Sequence, residues 1–324
     1  MCFGFFYLPA YIKKNNFNLV KIKKMKTNFA PICLFTFNRL EETKQTIEAL
    51  QQNFLASKSE LFVFSDGSKT KQGEVKIQQV RKYLKTITGF KSVTIRESEN
   101  NKGLANSIIS GVSEVIKVHK KVIILEDDLI TSPNFLNFMN QSLLYYINDP
   151  KVFSISGYTM KLKGLDDLDE DFYFGCRASS WGWATWIDRW ESVDWEVSSY
   201  KNFISNKEAI RKFNIGGSDM TRMLKAQMRG EIDSWAIRFC FQQYIDNLAC
   251  VFPKVSKVQS IGFSKEATHT VGAKKFLTKL DDSNKTSFKF NYFIKYDKEL
   301  IKAFNDKFTI YQRILDKIKL LFND

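Results

Sequence analysis

Three short apolar runs, each ending abruptly in polar residues, constrain this chain more than any other feature. They are Pro31–Phe37 (PICLFTF), Leu61–Phe64 (LFVF) and Val122–Leu125 (VIIL). Behind them stand Asn38-Arg39, Ser65-Asp66-Gly67-Ser68 and Glu126-Asp127-Asp128. Short apolar runs cannot be assigned by periodicity alone, so their flanks decide, and these flanks suit strands buried on both faces. Helical patterns fill the intervals. Glu41–Leu50 carries acids in its first turn, and Gly73–Thr86 and Leu104–His119 follow, with a short strand at Val93–Ile95. Such alternation predicts an α/β domain with a mainly parallel sheet. Ligands of these sheets gather at the carboxyl ends of the strands, near a topological switch point, where the polar residues fall.

Beyond Pro133 the pattern predicts a helix at Asn134–Ile147 and a strand at Val152–Ser156. A tryptophan-dense stretch reads as a bulky aromatic helix, and a further helix follows at Ser234–Asn247. No repeat, low-complexity tract or Pro/Ser linker interrupts the chain, so residues 27–270 read as one domain. Residues 1–26 form a basic extension and 271–324 a basic tail.

Composition narrows the class. At 324 residues, 44% hydrophobic and with 15 Gly and 5 Pro, the chain is neither disordered nor a collagen-like repeat. Five scattered cysteines without a CxxC pair argue against a disulfide framework or zinc cluster and favour a reducing cytoplasm. Two histidines, His119 and His269, rule out a multi-histidine metal site. No apolar run reaches the ~18–20 residues that span a bilayer. The opening MCFGFFYLPAYI precedes its lysines, the reverse of a signal peptide's charge order. It reads as an interfacial anchor or as an upstream start, Met25-Lys26-Thr27 being a natural beginning. The net charge of +14 is uneven, with six Lys and no acid in residues 1–30 and nine Lys/Arg against five acids in 285–324. In the tail, Leu300, Phe304, Phe308, Tyr311, Leu315, Ile318 and Phe322 form an apolar stripe between lysines. Such a helix either lies on an anionic membrane surface or packs back on the domain.

The run Lys121–Asp128 (KVIILEDD) sharpens the functional reading. Three consecutive carboxylates at the end of a buried strand repel one another unless a cation or hydrogen-bond donors offset them. Hard divalent cations accept one or two carboxylates plus substrate phosphates. An acidic strand end alone is more often a solvated loop or a helix cap. Here it comes fourth in an ordered series, after Phe37-Asn38-Arg39, Ser65-Asp66-Gly67-Ser68 and Asn100-Asn101-Lys102-Gly103-Leu104-Ala105.

That series resembles the GT-A nucleotide-sugar glycosyltransferases, and LEDDLITSPNFLNFM resembles the N-acetylglucosaminyltransferase I group with its EDD triplet. The resemblance covers about residues 30–270 and implies a Rossmann-like GT-A domain, a UDP-sugar donor and Mn²⁺ or Mg²⁺. It implies that Asp128 binds the metal while Asp127 and Glu126 orient ribose, sugar or metal waters. Arg39 would meet a phosphate or the base, and Asp66 would accept from a uracil N–H, unless it is simply the turn residue before Gly67. Asn101-Lys102-Gly103 opens a helix, where free amides and the dipole favour anions.

On the acceptor side, Trp181, Trp183, Trp186, Trp190 and Trp195 crowd into fifteen residues. Core packing explains most of them, but Trp181-Gly182-Trp183 also suits the apolar face of a sugar. Inverting transfer needs a carboxylate to take the acceptor hydroxyl's proton. Asp233 in EIDSWAIR is the first choice and Glu231 the second, although Asp233 also suits a helix N-cap. The resemblance places His269, in GFSKEATHT, in a loop that covers bound donor and touches its metal. The acceptor it implies is a glycan or lipid-linked glycan in surface polysaccharide synthesis, handled in the cytoplasm or at the membrane's inner face. A sugar nucleotidyltransferase would carry a Gly-rich phosphate loop after the first strand, which Phe37-Asn38-Arg39-Leu40 lacks. A non-catalytic sugar-binding protein stays open. Nucleic acid is not an expected partner, because the basic residues cluster only at the termini.

Overall fold

The computed structural model describes residues 28–262, 276–309 and 312. Its centre is an eight-stranded sheet in the order β3-β2-β1-β4-β8-β6-β9-β7. The strands are β1 (Ile32–Thr36), β2 (Glu60–Ser65), β3 (Ser92–Glu97), β4 (Lys121–Glu126), β6 (Val152–Ser156), β7 (Phe172–Gly175), β8 (Trp183–Trp186) and β9 (Ala249–Pro253). Strands β1 to β4 are mutually parallel, and β6 and β9 pair in parallel. Strands β8 and β7 run antiparallel to their neighbours. A second, two-stranded sheet pairs β5 (Leu129–Thr131) with β10 (Val258–Ser260).

Helices α1 (Leu40–Gln51), α2 (Lys71–Leu84), α3 (Leu104–His119) and α4 (Phe135–Tyr145) follow the predicted order. The three apolar runs are β1, β2 and β4, because each alternates its side chains between two covered faces. Ile32 and Leu34 pack with α1, α2 and α4, whereas Cys33 and Phe35 pack with α3. The chain then adds α5 (Ile187–Glu191), α6 (Tyr200–Ile204), α7 (Lys207–Phe213), α8 (Met220–Met228), α9 (Trp235–Ile245) and α10 (Lys298–Asp306). Helices α3 and α9 share one core layer with Trp190, Phe203, Phe213 and Leu224.

The chain order fixes where a ligand can lie. From β1 the sheet grows outward through β2 to β3, then β4 returns to the other side of β1. Helix α1, which follows β1, and helix α3, which leads into β4, cover opposite faces of the sheet, so the carboxyl ends of β1 and β4 form the topological switch point where ligands of such sheets gather.

Two expectations are corrected here. The tryptophan-rich stretch is a strand, β8, followed by the short α5, because alternation sends Trp183 and Trp186 to opposite faces: Trp183 joins α3 and α9, Trp186 joins α4. Trp183, expected against a sugar, is 1% exposed, stacked 4.7 Å from Trp235 and 5.1 Å from Phe239. Gly182 does not provide a sugar platform. Its φ of 58° and a would-be Cβ 2.7 Å from Val258 Cγ2 explain the glycine.

The described part of the tail folds back on the domain. Phe288, Leu300 and Phe308 belong to the core, and buried Lys257 pairs with buried Asp281, tying this return to β10. Burial alone would raise the Asp281 pKa, but hydrogen bonds from Lys257 and Ser283 outweigh it and hold the group at about 2. The apolar side of α10 thus faces protein. Tyr311, Leu315, Ile318 and Phe322 lie outside the described residues, as do residues 1–27. No helix among the described residues is long and apolar enough to cross a membrane.

The Trp183 assignment is open to test. Trp183→Ala should lower unfolding stability by about 3–5 kcal/mol, the usual loss for a large buried aromatic, as measured by urea denaturation. An unchanged midpoint would return this ring to the ligand side.

Candidate active site

The carboxyl ends of the neighbouring strands β1 and β4 are where charge converges. Arg39, the residue before α1, sends one guanidinium nitrogen to Asp127 and the other to Asp128 Oδ2 at 3.1 Å. Asp127 also accepts the Phe37 amide at 3.2 Å. The turn is clamped from α1: Thr46 Oγ1 donates to the Asp127 carbonyl at 2.9 Å and accepts the Leu129 amide at 3.1 Å. One guanidinium does not balance three carboxyls. Burial first, and then the charges of Asp128 and Asp127, push Glu126 up to about 8 against the pull of Arg39. Burial raises Asp127 to about 6 although Arg39 opposes it. The cluster is short of positive charge.

Next to it, on the end of β2, Asp66 organises the entry to α3. Its Oδ1 accepts the amides of Gly67 and Lys102, each at 2.9 Å, and its Oδ2 accepts the Gly103 amide at 3.0 Å and Asn101 Nδ2 at 3.2 Å. Asn101 Nδ2 also donates to the Gly67 carbonyl at 2.8 Å. Asp66 is buried and its acceptor positions are taken by this loop, while the Lys102 side chain is exposed.

Asp233 reaches the same place from the other core layer. A Cβ on Gly103, whose φ is 76°, would stand 3.5 Å from Asp233 Oδ2. The N-cap of α9 is Ser234, which accepts the Ile237 amide at 3.3 Å, so capping is not the task of Asp233. Instead Asp233 Oδ1 lies 3.5 Å from Arg238, whose guanidinium is held by the carbonyls of Ser234 and Trp195, each at 3.3 Å. Glu231 lies apart from this arrangement. It is paired with Arg229 on an exposed turn, at 2.6 and 2.9 Å.

Trp181 is partly buried, edge-on to Tyr158 at 4.6 Å and to Phe276 at 5.6 Å. Gly262 abuts Asp128, where a Cβ would fall 1.9 Å from Oδ2, and the Phe276 carbonyl accepts the Tyr158 hydroxyl at 2.8 Å. His269 lies outside the described residues.

The structure therefore joins Arg39, Asp127 and Asp128 in one cluster and Asp66, Asn101, Lys102 and Gly103 in a second, with Asp233 beside the second. Thr46, Arg238 and Gly262 carry positioning roles that sequence patterns do not announce. Only Arg238 leaves a trace, a basic residue in the helix opened by the Asp233 segment. The donor chemistry fits a divalent cation: the oxygens are hard and the negative charge is in excess. Among the described residues no group of three or more His, Cys, Asp or Glu side chains forms a self-sufficient metal cage, so substrate oxygens would have to complete the shell.

Comparison with known proteins finds a family likeness in one segment of the chain. Residues 32–153 match the family described as Glycosyl transferase family 2. That segment contains Arg39, Asp66, Asn101, Lys102 and the acidic triplet, and it ends before Trp181 and Asp233. The α/β fold is of the Rossmann-like GT-A kind. No curated protein matches the chain. Among solved structures it is similar to the mannosyltransferase PcManGT from Pyrobaculum calidifontis, in complex with GDP-Man and Mn²⁺, at 13% identity and a TM-score of 0.36 over 55% of this chain and 53% of that one. It is also similar to S. aureus TarS, at 14% identity and 0.29 over 40% of this chain and 22% of that one. A third is the galactosyltransferase LgtC with donor and acceptor sugar analogs, at 7% identity and 0.34 over 65% and 69%. The chain thus spans about half the length of PcManGT and about a fifth of TarS.

Gly262 offers a test of the acidic cluster that changes no charge. Gly262→Ala should displace the Asp128 carboxylate and weaken Mn²⁺-dependent nucleoside diphosphate binding about tenfold or more in calorimetric titration. Unaltered binding would mean that the contact does not set the Asp128 geometry.

Proposed function

We propose that this chain is a metal-dependent, inverting glycosyltransferase. It would transfer a sugar from a UDP-sugar, with UDP-N-acetylhexosamine the first to test, to a glycan or lipid-linked glycan acceptor. The observation that carries this reading is the Arg39-bridged pair Asp127–Asp128 at the reversal of the sheet, with Asp233 beside Gly103.

Asp128, supported by Asp127 and Glu126, would hold Mn²⁺ or Mg²⁺ against the donor diphosphate. When bound, the cation supplies Lewis-acid relief of the charge that develops on the departing nucleoside diphosphate. Arg39 fixes both carboxylates from behind. Asp66 acts on the donor through the loop it shapes, in which Asn101 spends its amide hydrogens on Asp66 and Gly67 and the Lys102 ammonium and the first turn of α3 would meet an anion. Trp181, with Tyr158, forms an aromatic wall suited to the apolar face of a sugar.

Asp233 is the proton acceptor. Its side chain is 55% exposed and has no capping duty, so it can approach an acceptor hydroxyl. As that oxygen attacks the anomeric carbon, a C–O bond forms opposite the breaking bond to the diphosphate, and the hydroxyl proton passes to Asp233. Glu231, tied to Arg229, is the weaker candidate. A membrane-surface role for the tail, which a lipid-linked acceptor would suit, rests on residues beyond 309.

Screening nucleotide sugars for Mn²⁺-dependent binding and turnover tests this reading. Asp128→Ala should lose metal-dependent donor binding. Asp233→Asn should keep it and lose turnover by about 10²–10⁴-fold. Donor binding untouched by the first change, or full turnover after the second, would contradict these roles. Binding without turnover in the unaltered chain would favour a non-catalytic sugar-binding protein.

A further inference from the structure

A cleft with no part in the chemistry above lies between α3, α5 and the loop that follows α5. It has a volume of about 140 Å³ and is lined by Ser113, Ile116, Lys117, Trp190, Glu191 and Trp195, together with Val193. A cavity of this order accommodates one six-membered ring.

We propose that this cleft is a saccharide subsite that takes a remote hexose of the glycan acceptor; the acceptor assignment rests on the sugar-transfer reading. Three features favour a sugar over an apolar ligand. First, the aromatic lining is angular: Trp190 and Trp195 stand 4.8 Å apart at 59°, leaving a corner against which the C–H face of a pyranose can rest. Trp190 is nearly buried and spends its indole N–H on Ser113 Oγ at 2.9 Å, so Trp195, half-buried, offers the accessible ring. Second, the rim holds one cation and one anion, the exposed Lys117 and Glu191. Among the described residues neither joins an ion pair, which leaves a donor and an acceptor for neighbouring hydroxyls. Third, the wall is built before any ligand arrives. Asp194 accepts the amides of Glu196 at 3.0 Å and Ser198 at 2.6 Å, and its own amide donates to Gln242 at 3.1 Å. Preorganisation of this kind limits the entropy lost on binding.

The cleft also communicates with the reaction centre. The Trp195 carbonyl accepts from Arg238, whose guanidinium lies 5.8 Å from the Trp195 ring centre and 3.5 Å from Asp233. Ser113 lies ten residues along α3 from Gly103, about 15 Å at the helical rise. The ring seated here is therefore a distant unit of a chain whose end reaches Asp233. Occupancy would brace Trp195, and through Arg238 the carboxylate.

The probes are N-acetylglucosamine, glucose, galactose and their β-linked disaccharides, titrated into the full chain without metal or nucleotide. Intrinsic tryptophan fluorescence and saturation-transfer NMR report binding. At least one saccharide should bind in the millimolar range. Trp195→Ala and the surface variants Lys117→Ala and Glu191→Gln should each weaken it about tenfold, while Asp128→Ala leaves it unchanged. The surface variants should raise the KM for a long acceptor and leave kcat and the KM for a monosaccharide acceptor as they were. The proposal is overturned if no saccharide binds, or if binding ignores Lys117 and Glu191. Saccharide uptake in a chain inert toward every donor would sink the sugar-transfer reading alone. Turnover with an acceptor KM indifferent to the surface variants would sink the subsite alone.

Discussion

Three consecutive carboxyls on the end of a buried strand need a counter-charge, and the site is arranged around how that need is met. Arg39 supplies one positive charge, shared between Asp127 and Asp128, and Glu126 remains raised to about 8 by burial and its neighbours. In the proposed function, this deficit would be met by a cation carried in with a polyanion. It also explains the clamps around it. Thr46 from α1, the Phe37 amide and the close approach of Gly262 hold the carboxylates in place. Electrostatic sites function only when their charges cannot relax away from one another.

The sheet order supplies the second half of the arrangement. Because β4 returns beside β1 after the excursion through β2 and β3, Arg39 and the acidic triplet meet at a reversal, with the Asp66-shaped loop next door. Helix α9, from the opposite core layer, brings Asp233 to Gly103. Carboxylates in two settings thus come from separate elements: the pair bridged by Arg39, and the exposed single group beside Arg238. In the proposed reaction, donor fixation and proton removal would place these opposite demands on a carboxylate.

Much of this was legible in the sequence. Apolar runs ending in Arg39, Asp66 and Glu126-Asp127-Asp128 predict the strands and the edge where their ligands gather, because burial on both faces and exposure at the tip both write themselves into residue type. What the sequence left open was anything decided by tertiary packing. Trp183 looks as suited to a sugar as Trp181 does. Only the alternation of β8, which turns Trp183 toward Trp235, separates them. Asp66 carries the right chemistry for a ring N–H, yet the approach of Lys102 and Gly103 takes its lone pairs. Asp233 suits the cap of α9 on paper, yet the Ile237 amide goes to Ser234. Gly262 matters through one contact, with Asp128, which no local pattern encodes.

The central claim is that the Arg39-bridged carboxylates form half of a metal site whose other half arrives with the diphosphate. Calorimetric titration of Mn²⁺ into the full chain, with and without UDP, addresses it most directly. The account predicts weak binding of Mn²⁺ alone, because Arg39 already occupies the carboxylates, and much tighter binding once UDP is present. Tight binding of Mn²⁺ without nucleotide, or tight UDP binding indifferent to Mn²⁺, would contradict it.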